Sequence, residues 1–191
     1  MKKQAITLGR IGILLPIAGF IPILGSVAGL ASFILLLMSY HQFSKVFENP
    51  PIFKKTLIGY LVPIIATIIG TIVILIGAGS ALVTLSSDGF DPENMQQLIT
   101  VLFESGVTIF GLLLLLVGTI IGAYYMFQGL KALAASSGVK TFRTAGLLYF
   151  IGAIGLLLFG LGAFVMFVAW IIHVVAYFSI QAEEPIVEQA V

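Results

Sequence analysis

The sequence predicts an all-α protein, a polytopic membrane bundle of six transmembrane helices in which two tight hairpins flank two central helices. Three observations carry that expectation: the composition, four long apolar stretches, and the places where Lys and Arg stand between them. The 191-residue chain is 60% apolar, without counting its 21 glycines, and only 9% charged. A soluble domain carries about 25% charged residues because its surface must face water. So few charges cannot cover such a surface, and lipid is the solvent that accepts this much apolar side chain. A soluble enzyme is excluded. A nucleic-acid binder is excluded too, because a net charge of +1 attracts no polyanion. Cys is absent, which removes disulfides, thiolate nucleophiles and the commonest zinc ligands.

Stretches without Asp, Glu, Lys or Arg run over 11–44, 56–87, 105–130 and 144–182. A helix crosses the ~30 Å hydrocarbon core in about 20 residues. The second and third stretches each fit one helix, near 57–78 and 107–128. The outer two are too long for one span and barely long enough for two. Each has turn formers near its middle, Gly19-Phe20-Ile21-Pro22 in the first and Gly160-Leu161-Gly162 in the last. Each is therefore expected to be a hairpin, with spans near 5–18 and 23–41, then 146–159 and 162–180. Together these form a single integral-membrane domain over 1–182, followed by an acidic tail, 183–191.

The charge distribution tests that count, since Lys and Arg accumulate on cytoplasmic loops. Lys2, Lys3 and Arg10 precede the first stretch, and Lys45, Lys54 and Lys55 follow it. Both sets are cytoplasmic only if the stretch crosses an even number of times. The loop over 82–104 has no Lys or Arg but holds Asp88, Asp91, Glu93 and Glu104, as an outside loop should. Lys131, Lys140 and Arg143 return the chain to the cytoplasm. A cell-membrane location with both termini cytoplasmic follows as the expectation. An apolar run that continues to Tyr40 favours an uncleaved anchor over a cleaved signal peptide. Tyr40, Tyr60, Tyr124, Tyr125, Tyr149 and Tyr177 all fall near expected cytoplasmic helix ends, as one half of an aromatic belt would.

Within the outside loop, Asp91-Pro92 reads as an N-cap followed by proline at the first helical position. Met95, Leu98, Ile99, Leu102 and Phe103 then recur at helical spacing, so a short interfacial helix is expected there. A lid, or a weak cation site built on Asp88, Asp91 and Glu93, is the functional alternative; a solvated loop docking one apolar face is the favoured reading. Thr7, Gly9, Gly25 and Tyr40 match Thr144, Gly146, Gly162 and Tyr177 at one constant offset, a faint parallel repeat that abundant glycine also produces by chance.

Four segments carry a family resemblance: Leu8-Gly9-Arg10-Ile11-Gly12-Ile13-Leu14-Leu15, then Ile52-Phe53-Lys54-Lys55, then Thr141-Phe142-Arg143-Thr144-Ala145-Gly146-Leu147-Leu148-Tyr149-Phe150-Ile151-Gly152, and finally Ala176-Tyr177-Phe178-Ser179-Ile180. Together they resemble the prokaryotic membrane family known as domain of unknown function 996 over nearly the whole chain. The run over 142–152 is the most specific part. The resemblance implies a multi-pass bundle and supplies no activity, ligand or catalytic residue.

Catalytic chemistry finds no foothold in the residues. The two histidines, His41 and His173, lie in different hairpins, with no His-Glu-x-x-His. Gly79-Ser80 lacks the pattern of a serine nucleophile, and Gly77-Ala78-Gly79 has no following Lys to make a phosphate loop. Neither an enzyme nor a cofactor is expected. Among polar residues within the spans, His173 stands out, because an ionisable group in hydrocarbon is a functional candidate by default. It shares a helical face with Gly162, Ala169 and Ala176. A neutral His bonded to a nearby Tyr, Ser or Thr is favoured over a proton-responsive or ligand-contacting group. Arg10 is shallow enough to snorkel.

Glycine patterning indicates which faces pack. Gly111, Gly118, Gly122 and Gly129 recur at intervals of seven, four and seven, on one stripe of the fourth span. Gly25, Gly29, Ser32 and Ser39 make a similar stripe on the second. Small residues mark helix-packing faces in lipid, where apolar surface alone does not drive association. The favoured function is a non-catalytic bundle in a structural, assembly or partner-binding role. Its partners would be the lipid bilayer and other membrane proteins or a second copy, with no nucleic acid. The alternative is a small-solute or ion transporter or channel, with a polar path formed by His173, Thr67, Thr71 and Tyr60; Pro63 is compatible with either.

Overall fold

The computed structural model describes residues 1–20, 24–87, 105–158 and 160–181. The described residues form six α-helices and no strand: α1 (Lys2–Leu14), α2 (Leu24–Val46), α3 (Pro50–Ser87), α4 (Gly106–Ser137), α5 (Thr141–Gly155) and α6 (Leu161–Ser179). A 3-10 segment, Leu15–Phe20, follows α1. The expected interfacial helix after Asp91, the candidate cation site at Asp88, Asp91 and Glu93, and the acidic tail lie outside the described residues.

Among the described residues, four segments are long and apolar enough to cross a membrane: Val27–Val46, Pro50–Gly79, Gly106–Ser137 and Leu161–Ser179. Helices α1 and α5 have 13 and 15 residues. At 1.5 Å per residue they are about 20 and 22 Å long, short of the ~30 Å hydrocarbon core. The last stretch thus divides into a short helix and a longer one, whereas α1 lies mostly before the first stretch and shares only residues 11–14 with it.

Proline explains the first division, which comes earlier than Gly19-Phe20-Ile21-Pro22. Pro16 has no N–H to donate back to Gly12, so the α-helical ladder loses a bond there, although Leu15 before it keeps helical dihedrals (φ -54°, ψ -34°). Accordingly α1 ends at Leu14 and tightens into the 3-10 segment. The stranded Gly12 carbonyl instead accepts a hydrogen bond from Ser32 Oγ of α2 at 2.7 Å. In the last stretch α5 ends at Gly155, and the chain re-enters a helix through Gly160 at φ 82°. That left-handed conformation costs glycine little and strains any residue with a Cβ.

The contacts divide the chain into two compact units, one of residues 1–58 with 125–191, the other of residues 59–124. In the first unit α1 lies against α2 and α6, and α5 lies against α6. Its core is made of Tyr40, Phe43, Ile52, Leu130, Leu133, Phe142 and Tyr177, all fully buried. The second unit holds residues 59–87 of α3 and 106–124 of α4, with residues 88–104 outside the description. There Ile64, Ile65, Ile68, Ile72, Leu75 and Ile76 are exposed, an apolar surface of the kind lipid solvates without cost.

Candidate functional site

The first unit contains a buried polar and aromatic cluster centred on His173. Four helices supply it. Ser39, Tyr40 and Phe43 come from α2, Phe142 and Tyr149 from α5, and His173 and Tyr177 from α6, while Ala5 and Gly9 of α1 close one side. The local reason on α6 is periodicity: its buried residues are Gly162, Ala169, His173, Ala176 and Tyr177. The small-residue face expected to carry His173 is therefore the face turned inward. Small neighbours leave room for an imidazole and a phenol.

His173 is 1% exposed. Its Nε2 lies 3.1 Å from the Tyr40 hydroxyl, a hydrogen bond in which the phenol donates to one imidazole tautomer and accepts from the other. Tyr177 stacks on the imidazole with ring centres 5.3 Å apart, and Phe142 and Tyr149 present their edges at 5.8 and 5.9 Å. Such offset and edge-on arrangements are the favoured ones for ring pairs. A paired, ring-enclosed imidazole can fix the mutual positions of α2, α5 and α6. His41 is elsewhere, exposed and edge-on to Phe53 at 4.8 Å.

Tyr40 and Tyr177 depart from the expected aromatic belt. Both are fully buried, because each hydroxyl has a polar neighbour inside the cluster. Tyr40 meets His173, and Tyr177 Oη lies 3.4 Å from Ser39 Oγ, which also bonds the Ala5 carbonyl at 2.8 Å. The two tyrosines, equivalent in the faint repeat, are in tilted ring contact at 6.3 Å. Tyr177 reaches this position over Gly9, whose missing side chain would collide with the Tyr177 ring.

Arg10 also departs from expectation. Rather than only snorkelling, its guanidinium bonds the carbonyls at the end of α6: Nε donates to Tyr177 at 3.2 Å, and Nη2 to Ile180 at 3.1 Å and Phe178 at 3.4 Å. The last carbonyls of a helix lack intrahelical partners and carry partial negative charge, so a cation there is favourable. In return, Trp170 Nε1 of α6 donates to Ile13 near the end of α1 at 3.1 Å. Helices α1 and α6 thus supply donors to each other's open carbonyls. Nothing in the spacing of Arg10 and Ile180, 170 residues apart, announces this.

The glycine stripe of α4 meets α3. Within the second unit, a Cβ at Gly111 would stand 2.6 Å from Ile74 Cγ1 and 2.9 Å from the Gly70 carbonyl, and one at Gly118 would collide with Ala66. A side chain at Gly122 would run into the ring of Pro63. Within the first unit Gly129 stands likewise against Thr56. The partner face therefore carries Thr56, Gly59, Pro63, Ala66 and Gly70, alternating intervals of three and four, a second small-residue seam the sequence reading did not isolate. On α2 the stripe shifts by one residue. Ser32 is buried and bonded to Gly12, but Gly29 is exposed with no described atom within 4 Å of where its Cβ would stand, and Gly25 is half-buried. Ala28 takes the inward place, because the α2 face follows the register of Ser32, Leu36, Ser39, Tyr40 and Phe43.

Among the described residues no three His, Asp or Glu side chains gather as metal ligands. Residues 28–171 match the family model described as protein of unknown function DUF996. An uncharacterised protein of Methanocaldococcus jannaschii is 33% identical over 178 residues, covering 93% of this chain and 92% of that protein. No solved structure matches the chain.

Proposed function

The chain belongs to the DUF996 family, whose function is unknown, and we propose that it is a non-catalytic membrane bundle with a structural, assembly or partner-binding role. The observation that carries this reading is the state of His173. The imidazole most deeply placed in the spans is enclosed by rings and bonded to Tyr40, an arrangement suited to holding helices rather than passing a proton or a solute. Small-residue seams on α3 and α4 give the same emphasis to close packing. The reading places the bundle in the cell membrane as a multi-pass protein with both termini cytoplasmic, supported by the Lys and Arg distribution. Its partners are the bilayer and other membrane proteins or another copy of the chain, with no nucleic acid.

Proton flux into vesicles reconstituted with the full chain, followed by an internal pH dye, tests this against transport. The expected flux equals that of empty vesicles. A flux that His173→Gln abolishes would replace the proposal with a transporter. Mass spectrometry of proteins and lipids that copurify with the chain then identifies the partner class.

A further inference from the structure

Where α4 turns into α5, the first unit carries an open groove of about 650 Å³ lined by Lys131, Ala134, Gly138, Lys140, Arg143 and Leu147, among others. Gly138, at φ 75°, makes the turn between the helices and brings Lys131 of α4 near Lys140 and Arg143. All three cations are exposed. Among the described residues Glu48 is the sole carboxylate, and none of the three cations is bonded to an acid. Positive charge is thus concentrated around a concavity with no bonded counterion among the described residues.

At Leu147 the groove also meets an apolar helix face. Arg143, Leu147, Ile151 and Ile154 follow one another at intervals of four, four and three on α5, and all four are exposed. One face of α5 therefore runs from a cation into a lane of aliphatic side chains. A free anion would use only the mouth of such a site. A phospholipid uses both parts, with its phosphate among the cations and an acyl chain along the lane.

We propose that this groove is a binding site for the phosphate headgroup of an anionic phospholipid in the cytoplasmic leaflet, with Lys131, Lys140 and Arg143 holding the phosphate and Leu147 and Ile151 lying against an acyl chain. Arg143 offers a planar fork to two phosphate oxygens, and the lysines act as point charges. Basic pockets between helices on the cytoplasmic side are suited to anionic headgroups. This site stands apart from the His173 cluster; its assignment to the cytoplasmic leaflet rests on the topology proposed above.

The test is native mass spectrometry of the full chain in neutral detergent, titrated with phosphatidylglycerol or phosphatidylcholine of matched acyl chains. Phosphatidylglycerol is expected to bind more tightly. Each cation removed should weaken it about fivefold, so K131Q/K140Q/R143Q should lose about a hundredfold and R143Q alone about fivefold. K3Q/K45Q/K54Q, equal in charge change but outside the groove's lining, should keep the preference. Because the substituted side chains are all exposed, thermal unfolding of every variant should match the parent. Equal binding of the two lipids, or equal loss in the two triple variants, would overturn the proposal. Inorganic phosphate displacing the lipid at matched concentration would assign the site to a free anion and overturn the lipid reading. Binding that emerges only after Glu183, Glu184 and Glu188 are replaced by Gln would make the tail the occupant and overturn it as well.

Discussion

The ring of Pro63 on α3 fills the space that a side chain at Gly122 on α4 would need. Proline in a helix interior removes the hydrogen bond to the carbonyl four residues earlier, here Gly59. That carbonyl lies 3.0 Å from where a Gly122 Cβ would stand, so the freed acceptor faces the glycine backbone. Each of these residues is unfavourable in an isolated helix, and each makes room for or partners the other.

Gly118→Leu and Gly122→Leu should each destabilise the detergent-solubilised protein by about 1–3 kcal/mol or more, the usual range for overpacking. The inserted side chains would meet Ala66 and Pro63. Val117→Leu and Ile121→Leu, at exposed sites, should change the thermal midpoint little. Equal tolerance at both pairs would show that the seam does not hold the helices together.

His173→Gln should retain most of the thermal stability, since Gln keeps a donor and an acceptor for the Tyr40 hydroxyl. His173→Leu removes that partner and should cost about 1 kcal/mol, typical of polar contacts between membrane helices. Thermal denaturation of both variants in one detergent checks the order. His173→Leu as stable as the parent would mean that the bond contributes nothing to the fold.

Arg10→Gln should loosen the end of α6, because it removes the charged donor to the Tyr177, Phe178 and Ile180 carbonyls. The expected loss is about 1–2 kcal/mol, as for a partly buried cation at a helix C-terminus. Hydrogen exchange should become faster at the C-terminal turn of α6 while α3 is unchanged. Arg10→Lys restores the charge without the fork and should recover only part of the protection.

Single cysteines at Gly89, Ser136 and Gln189 read the topology in this cysteine-free chain. A membrane-impermeant thiol reagent applied to sealed cells should label only the first. Within the first unit, Asn49 Nδ2 donates to Ser136 Oγ at 2.9 Å, so the α2–α3 and α4–α5 turns occupy one side. Labelling at Gln189 from outside would leave the last stretch as one crossing.

Composition alone determined that the chain is an apolar helical protein. Long uncharged stretches with turn formers near their middles predicted the six helices found among the described residues, because a helix in lipid must satisfy its own backbone and so shows itself in sequence as length. The inward face of α6 and the glycine stripe of α4 were legible for a related reason: helical periodicity repeats locally. Which partners those faces meet was decided only by the tertiary structure. Gly122 is 59 residues from Pro63, His173 is 133 from Tyr40, and Arg10 is 170 from Ile180. No local pattern encodes pairing across such separations. Nor does apolar periodicity tell lipid from protein, since both accept the same side chains; hence Gly29 was expected inward and lies outward, and Tyr40 and Tyr177 were expected at the headgroups and lie in the core. Polar groups settle the matter once helices meet, because each buried hydroxyl, imidazole or open carbonyl must find a partner on another helix.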